Sequence, residues 1–261
     1  IFAFVSPIFF LTFLCTCLLC RASPPSKSYV LFWADEFNGK KLDFSKWSYR
    51  QLGKRRDAYN VKDTVRLDSK GHLVLITKKV GDRYHTAMIG TQGKFETCFG
   101  YFECRMRFQR EIGHWSAFWL QSPTYGKGED PKKWGAEIDV IEYLARTPQI
   151  ANINIHWAGY GKNHKHVGTK YYKKGLNRGF HVIGFEWKPD RYIFYIDNEK
   201  VWETQEGVSH RPQYLILSLE VGKWAGDINK AKLPDGVLVD YVRVYKLQSR
   251  GHGKSKKEKG G

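Results

Sequence analysis

Three carboxylates lie close together in an otherwise largely apolar stretch, residues 134–143: Glu137, Asp139 and Glu142. In an extended strand successive side chains alternate faces, so Glu137 and Asp139 share one face. Strict alternation would put Glu142 on the opposite face. One residue bulging out of the ladder between Asp139 and Glu142 would reset the alternation and bring all three acids to one face. The spacing therefore predicts a bulged β-strand.

Two glutamates on one face suit hydrolysis of a glycosidic bond, since one carboxylate attacks the sugar and the other protonates the leaving oxygen. Retaining enzymes hold these groups about 5 to 5.5 Å apart. The Cα atoms would be separated by about 13 Å at ~3.3 Å per residue, so the strand must curve over an open cleft. A neighbouring negative charge raises the proton affinity of one acid, so Glu142 would carry the proton while Glu137 stays ionised. Asp139 would form a hydrogen bond to Glu137. The alternative is an exposed strand whose acids face water.

The acidic stretch resembles the active-site signature of glycoside hydrolase family 16 in its E-x-D-x-x-E form. The resemblance implies Glu137 as the nucleophile, Asp139 as its helper and Glu142 as the acid/base. Weaker motifs in the same order extend it over residues 31–245. The fold that it implies is all-β, a β-jelly roll sandwich of two curved antiparallel sheets with a concave substrate cleft.

The resemblance also implies sugar-binding side chains on neighbouring strands and loops. Each has a structural alternative: charges on the strand at 101–108 suit a solvated outer face, paired tryptophans suit a core, and a lone histidine is more often structural. Ser116 stands where the family usually has proline. The expected substrate-binding residues are Glu103, Arg105, Trp115, Trp119, Gln121, Trp134, Asn154, His156, Glu220 and Trp224. Residues 159–175 are predicted to form a loop over the cleft.

Asp240 lies on the predicted last strand, residues 237–245, where family members often hold a structural calcium away from the cleft. The resemblance therefore implies a calcium ligand there, and no other cofactor is required. Glu186 is a fourth acidic candidate, in a block that resembles outer-sheet scaffold. Cys98 and Cys104 would be about 20 Å apart on one straight strand at ~3.3 Å per residue, which favours free, buried thiols. A tight turn between them would instead allow a disulfide.

Length and composition indicate one domain. With 261 residues and 42% hydrophobic composition, the chain can bury one large core. Residues 1–22 are expected to be a signal peptide cut near Ala22, or alternatively a membrane anchor, followed by a linker at 23–28, the hydrolase domain at 29–247 and a disordered basic tail at 248–261. The protein is then expected to be secreted, extracellular or periplasmic, and to contact a membrane only if the first segment is retained.

The predicted function is retaining endo-hydrolysis of a β-linked polysaccharide, with β-1,3-glucan or mixed-linked β-1,3(4)-glucan as the expected substrate. The net charge of +17 permits an anionic partner. With Arg105, Arg107 and Arg110, it motivates the alternative of a marine galactan, sulfated or neutral, such as carrageenan, porphyran or agar. A non-catalytic carbohydrate-binding domain is a further alternative. A monomer is expected, and no nucleic acid is expected as a partner because no recognisable binding motif is present.

Overall fold

The computed structural model describes residues 24–248, an all-β domain of seventeen strands with one α-helix of four residues. The strands are β1 (Tyr29–Asp35), β2 (Ser48–Tyr49), β3 (Gly53–Arg55), β4 (Ala58–Asn60), β5 (Val65–Leu67), β6 (Leu73–Val80), β7 (Arg83–Gly90), β8 (Gly100–Arg107), β9 (His114–Gln121), β10 (Glu137–Leu144), β11 (Ile150–Trp157), β12 (Lys165–Tyr172), β13 (His181–Trp187), β14 (Tyr192–Ile196), β15 (Glu199–Thr204), β16 (Tyr214–Val221) and β17 (Asp235–Leu247). The helix is α1 (Pro131–Trp134), and single turns of 3-10 helix lie at Lys62–Thr64, Lys223–Ala225 and Ile228–Lys230.

Two predictions concern parts of the chain outside the described residues: the export segment at 1–22 and the basic tail beyond residue 248. Within residues 24–248, no helix is long and apolar enough to cross a membrane.

Fifteen of the strands form two antiparallel sheets stacked face to face, while β3 and β4 form a hairpin from which β4 pairs in parallel with β7. In the first, which we call the outer sheet, the order is β5, β6, β17, β8, β13, β14 and β15, with β1 paired to the last residues of β17. In the second, the cleft sheet, the order is β2, β7, β16, β9, β10, β11 and β12. Consecutive strands pair in places, but the pairs β17–β8, β13–β8 and β16–β9 join distant parts of the chain, as in a jelly roll. The predicted sandwich is confirmed.

The core lies between the two sheets and is built by the alternation of each strand. On β8 the apolar face carries Phe102, Cys104 and Met106, and on β9 it carries Phe118 and Leu120, all of them buried in one cluster. Fully burying such a side chain contributes about 1.5–3 kcal/mol, so the alternation of both strands is strongly specified. The predicted free thiols are also confirmed, since Cys104 is buried and Cys98 half-buried without a disulfide.

The prediction of a single loop over residues 159–175 is wrong in its second half, where β12 runs from Lys165 to Tyr172. This strand is polar because it lies at the margin of the cleft sheet, paired with β11, and the side chains of Lys165, His166 and Lys170 are exposed. A strand without a buried face lacks the apolar alternation on which strand prediction rests. The loop that precedes it, residues 158–164, does reach the cleft.

The predicted location of Glu103 and Arg105 in the cleft is also wrong. Both lie on β8, which pairs with β13 and β17 in the outer sheet, and both point away from the core. Glu103 accepts a hydrogen bond from the Tyr245 hydroxyl at 3.1 Å and lies 3.7 Å from the Arg243 guanidinium. The alternation of β8 was predicted correctly, but it says nothing about which sheet contains the strand.

The donor set at Asp240 does not fit calcium. Its carboxylate pairs with the Arg105 guanidinium, which supplies the positive charge that a cation would otherwise bring. In the described part of the chain, the only group of three or more acidic, histidine or cysteine side chains close enough to share a metal is elsewhere. We therefore derive no role for calcium at this position.

Glu103 should make the stability of the fold depend on pH. Its carboxyl is fully buried, and this burial raises its pKa from 4.5 to about 7. The folded state thus binds more protons than the unfolded state between these values, so stability is lost as pH rises through that window. We expect this group to cost roughly 3 kcal/mol of unfolding free energy between about pH 4 and about pH 8. Urea unfolding at several pH values should show this loss in the wild type and not in Glu103→Gln. Parallel pH curves for the two proteins would contradict the assignment.

Candidate active site

The predicted bulge is present in β10. Against β9, Asp139 pairs with Trp119 and Ile141 with Phe118, so two residues of β10 oppose one of β9. The side chains of Val140 and Ile141 are both buried, at 1% and 0% exposure. Because these consecutive residues leave the cleft face together, Glu142 returns to the face that carries Glu137 and Asp139.

The register places one row of cross-strand neighbours around each acid. Residues paired directly across a sheet share a face, so each row is a strip of the cleft floor. The three rows, from β16 to β11, are Tyr214, Gln121, Glu137 and His156; Ile216, Trp119, Asp139 and Asn154; and Ser218, Ala117, Glu142 and Asn152. Of the expected substrate-binding residues, Trp119, Gln121, Asn154 and His156 thus lie beside the acids.

Glu137 is held by two hydrogen-bond donors. The amide Nε2 of Gln121 donates to its Oε2 at 2.6 Å, and the hydroxyl of Tyr160 donates to its Oε1. Each oxygen of Glu137 thus accepts one side-chain hydrogen bond.

The orientation of the Gln121 amide is fixed on its other side. Its Oε1 accepts from the Tyr214 hydroxyl at 2.7 Å and from Arg50 Nη2 at 3.1 Å, so its amide nitrogen must point at Glu137. Arg50 was not predicted as a site residue, and its guanidinium is linked to Glu137 through this amide.

Asp139 lies between the two glutamates and is buried. Burial, and then the negative charge of Glu137, hold the pKa of Asp139 well above its usual range. His156 Nε2 lies 3.3 Å from its Oδ2, while His156 Nδ1 contacts His164 Nε2 at 2.9 Å. One ligand atom each from Glu137, Asp139 and His156 lie within 4.8 Å of one another, which makes this the one group among residues 24–248 that could hold a metal.

Glu142 is the acid best placed to carry a proton. Burial, and then the nearby Asp139 charge, raise the pKa of Glu142 well above its usual value. One interaction opposes this shift, since the side-chain amide of Asn154 donates to Glu142 Oε2 at 3.1 Å. The strand thus carries one carboxylate surrounded by donors and one carboxyl that burial keeps protonated.

A cavity of about 450 Å³ lies above these acids. It is lined by Gln51, Arg55, Arg56, Trp115, Ala117, Trp119, Gln121, Tyr125, Glu137, Asp139, Glu142, His156, Tyr160, Ser218 and Glu220. The arginines and tyrosines of this set were missed in the sequence because they lie outside the regular strands of the cleft sheet. The only signal for Tyr160 was its position in a segment predicted to lie over the cleft.

One end of the cavity combines aromatic rings with paired charges. The carboxylate of Glu220 accepts from Arg55 at 2.9 Å and from Arg56 at 2.7 Å. The Arg56 guanidinium stacks over the Trp115 ring at 5.2 Å, and the Trp224 ring meets Trp115 edge-on at 5.4 Å. One carboxylate therefore faces two arginines, which leaves a net positive charge at this end of the cavity. The Arg56 side chain is 54% exposed.

Two tryptophans predicted to bind sugar, Trp224 and Trp134, do not lie on the floor of the cavity. Trp224 is 40% exposed beside Trp115, at the margin of the cavity. Trp134, at the end of α1, does not line the cavity; Lys133 stacks on its ring at 5.0 Å, and its indole lies against Gly128. The position predicted for Trp134 in the cleft is therefore wrong, because the helical turn directs its ring toward its own loop.

Comparison with known proteins agrees with this geometry. The family model described as glycosyl hydrolases family 16 matches residues 53–243. A keratan-sulfate endo-1,4-beta-galactosidase of Sphingobacterium multivorum is 30% identical over 91% of this chain, and glucan endo-1,3-beta-glucosidase A1 of Niallia circulans is 27% identical over 84%. The chain spans 60% and 38% of the lengths of these two relatives.

Among solved structures, the endo-beta-1,3-glucanase of Pyrococcus furiosus superposes with a TM-score of 0.71 at 26% identity, covering 84% of this chain and 95% of that one. The family match includes the bulged strand and all three acids. This chain therefore belongs to glycosyl hydrolase family 16.

Proposed function

We propose that this protein is a retaining endo-glycosidase that cleaves a β-linked polysaccharide bound along the cleft sheet. The observation that carries the proposal is the bulge of β10, which brings to one face Glu137, held by two hydrogen-bond donors, and Glu142, whose pKa is raised by burial. An ionised nucleophile and a protonated acid are the two groups that a retaining mechanism requires.

The reaction proceeds in two displacements. The carboxylate of Glu137 attacks the anomeric carbon, the bond from that carbon to the bridging oxygen breaks with its electron pair, and the proton of Glu142 passes to that oxygen. Glu142, now ionised, then takes a proton from a water molecule that attacks the anomeric carbon. This second step releases Glu137 and returns the proton to Glu142.

Asp139 affects the proton transfers of Glu142 through its charge. In its ionised form Asp139 raises the pKa of Glu142, so that Glu142 keeps its proton until the proton passes to the leaving oxygen. When Glu142 loses that proton, the same repulsion favours its return. Asp139 thus acts on both steps without contacting the reacting carbon.

The substrate that we favour is β-1,3-glucan or mixed-linked β-1,3(4)-glucan. Support comes from the aromatic side chains that line the cavity, namely Trp115, Trp119, Tyr125 and Tyr160, since aromatic rings pack against neutral sugars. The names of the Niallia and Pyrococcus relatives agree with this choice.

A second candidate is a sulfated galactan, favoured by the exposed guanidinium of Arg56 over the Trp115 ring. A guanidinium beside a sugar platform suits a sulfate ester. The name of the Sphingobacterium relative agrees with this second choice.

The catalytic assignment predicts a large loss of activity from a single isosteric change in either glutamate. We expect Glu142→Gln to reduce kcat on laminarin by about 10²–10⁴-fold, since it removes general acid catalysis, and Glu137→Gln to cost at least as much. Glu186→Gln is the matched control, because Glu186 is a buried acid on the outer sheet, away from the cleft. Proton NMR should identify the first product as the β-anomer. Full activity of either catalytic variant, or release of the α-anomer, would refute the mechanism.

The absence of a side chain at Gly168 should control the position of Glu142. A β-carbon there would collide with the side-chain amide of Asn154 and the backbone oxygen of Ile153. Gly168→Ala should therefore displace Asn154, lower kcat by roughly tenfold or more, and move the alkaline limb of the pH profile to higher pH, because the lost hydrogen bond favours ionised Glu142. Asn154→Ala should shift the limb in the same direction.

Gly161→Ala is the control for this prediction, since it adds the same methyl group in the loop just before β12, where a β-carbon would have no atom within 4 Å. An unchanged alkaline limb in Gly168→Ala, or an equal shift in Gly161→Ala, would contradict the role assigned to Gly168.

A side-by-side assay distinguishes the two substrate candidates. We expect kcat/KM to be higher on laminarin than on keratan sulfate or carrageenan, and Arg56→Gln to change laminarin hydrolysis by less than about threefold, since a solvent-exposed charge contributes little to binding a neutral sugar. Activity confined to the sulfated polymers, with a loss of about tenfold or more in Arg56→Gln, would replace the first candidate by the second.

A further inference from the structure

A second group of arginines lies far from the cleft, where the last residues of β8 lead into the segment before β9. Two cavities of about 410 and 580 Å³ adjoin there and share Arg107, Phe108 and Arg110. Arg66 lines the first cavity and Arg178 the second. Neither cavity shares a lining residue with the catalytic cavity.

The register of the outer sheet orders part of this surface. Arg66 pairs with Val74, Val74 with Leu238, and Leu238 with Arg107, so these four residues form one row across β5, β6, β17 and β8. Three inter-strand spacings of ~4.8 Å separate the first and last Cα atoms by about 14 Å. Since paired residues share a face, two arginines flank an apolar strip of Val74 and Leu238.

The charge of these arginines is not balanced by carboxylates. Within residues 24–248, Arg66, Arg107, Arg110 and Arg178 form no ion pair. The one acid lining either cavity is Asp235. Its Oδ2 already accepts from the backbone N–H groups of Arg110 and Glu111 and lies 3.2 Å from His114 Nε2.

We propose that this surface, which we call the arginine groove (Arg66, Arg107, Arg110 and Arg178), binds a sulfated polysaccharide without cleaving it. Guanidinium groups present paired donors that match the oxygens of a sulfate ester. Between them, Val74 and Leu238 offer an apolar surface for the carbon-bound face of a sugar. The groove adds a binding function separate from hydrolysis, since it contains neither the catalytic acids nor a second pair of carboxylates.

Location makes binding at this site independent of the cleft. Arg66 and Arg107 project from the outer sheet, whereas Glu137 and Glu142 project from the cleft sheet, and the core lies between them. A chain bound in the groove therefore leaves the cleft open. The groove would hold the enzyme on a sulfated matrix while the cleft engages a different chain.

The test measures binding of the 261-residue protein to dextran sulfate and to unsulfated dextran at about 0.15 M salt. The variant is Arg110→Gln/Arg178→Gln, since both side chains are exposed and neither supports the core. Its control is Lys40→Gln/Lys41→Gln, which removes the same two charges from another exposed site. Residues 249–261 are present in every protein, so any contribution they make is common to all.

We expect the wild type to bind dextran sulfate and not dextran, with Kd raised about tenfold in the arginine variant and less than twofold in the lysine control. Laminarin hydrolysis should be equal in all three proteins, so a failure of the proposed hydrolysis would appear separately from a failure of binding. Equal weakening by both double variants would overturn the proposal, as would no binding of dextran sulfate. The proposal would also be overturned if a single-stranded oligonucleotide bound as tightly as dextran sulfate and its Kd rose by the same factor in the arginine variant. That result would identify the groove as a nucleic-acid surface.

Discussion

The site depends on two adjacent side chains, Val140 and Ile141, that both enter the core. Each contributes on the order of 1.5–3 kcal/mol by leaving water, and together they force one extra residue into the β10 ladder. That residue decides the face on which Glu142 lies. Hydrophobic burial on one side of the sheet thus fixes the arrangement of charges on the other.

Three carboxyl groups this close are stable only because their surroundings differ. Glu137 accepts hydrogen bonds from the Gln121 amide and the Tyr160 hydroxyl, whereas burial raises the pKa of Asp139 and of Glu142. Like charges would otherwise repel strongly in a partly dehydrated cleft. The neighbours of each acid on β9 and β11 therefore matter as much to catalysis as the acids themselves.

The features that could be predicted from the sequence are those that side-chain alternation and burial determine, namely the faces of the strands and the bulge in β10. The bulge before Glu142 could be inferred because only one register brings all three acids to one face while their apolar neighbours stay inside. The side of β8 that carries Glu103 and Arg105 was also inferred correctly, but alternation cannot tell which sheet a strand joins. Arg50 and Tyr160 reach the cleft from irregular segments, where position depends on tertiary contacts rather than on a repeating pattern.

The polar composition of β12 has a further consequence. A strand at the margin of a sheet exposes unpaired backbone groups to which a strand of another molecule can add, and such addition is a common route to aggregation. On β12, Lys165 and Lys170 project from this margin. A second chain approaching there would have to desolvate their ammonium groups, which opposes edge-to-edge association. The polar residues of β12, which made the strand hard to predict from the sequence, thereby protect this edge of the cleft sheet from edge-to-edge association.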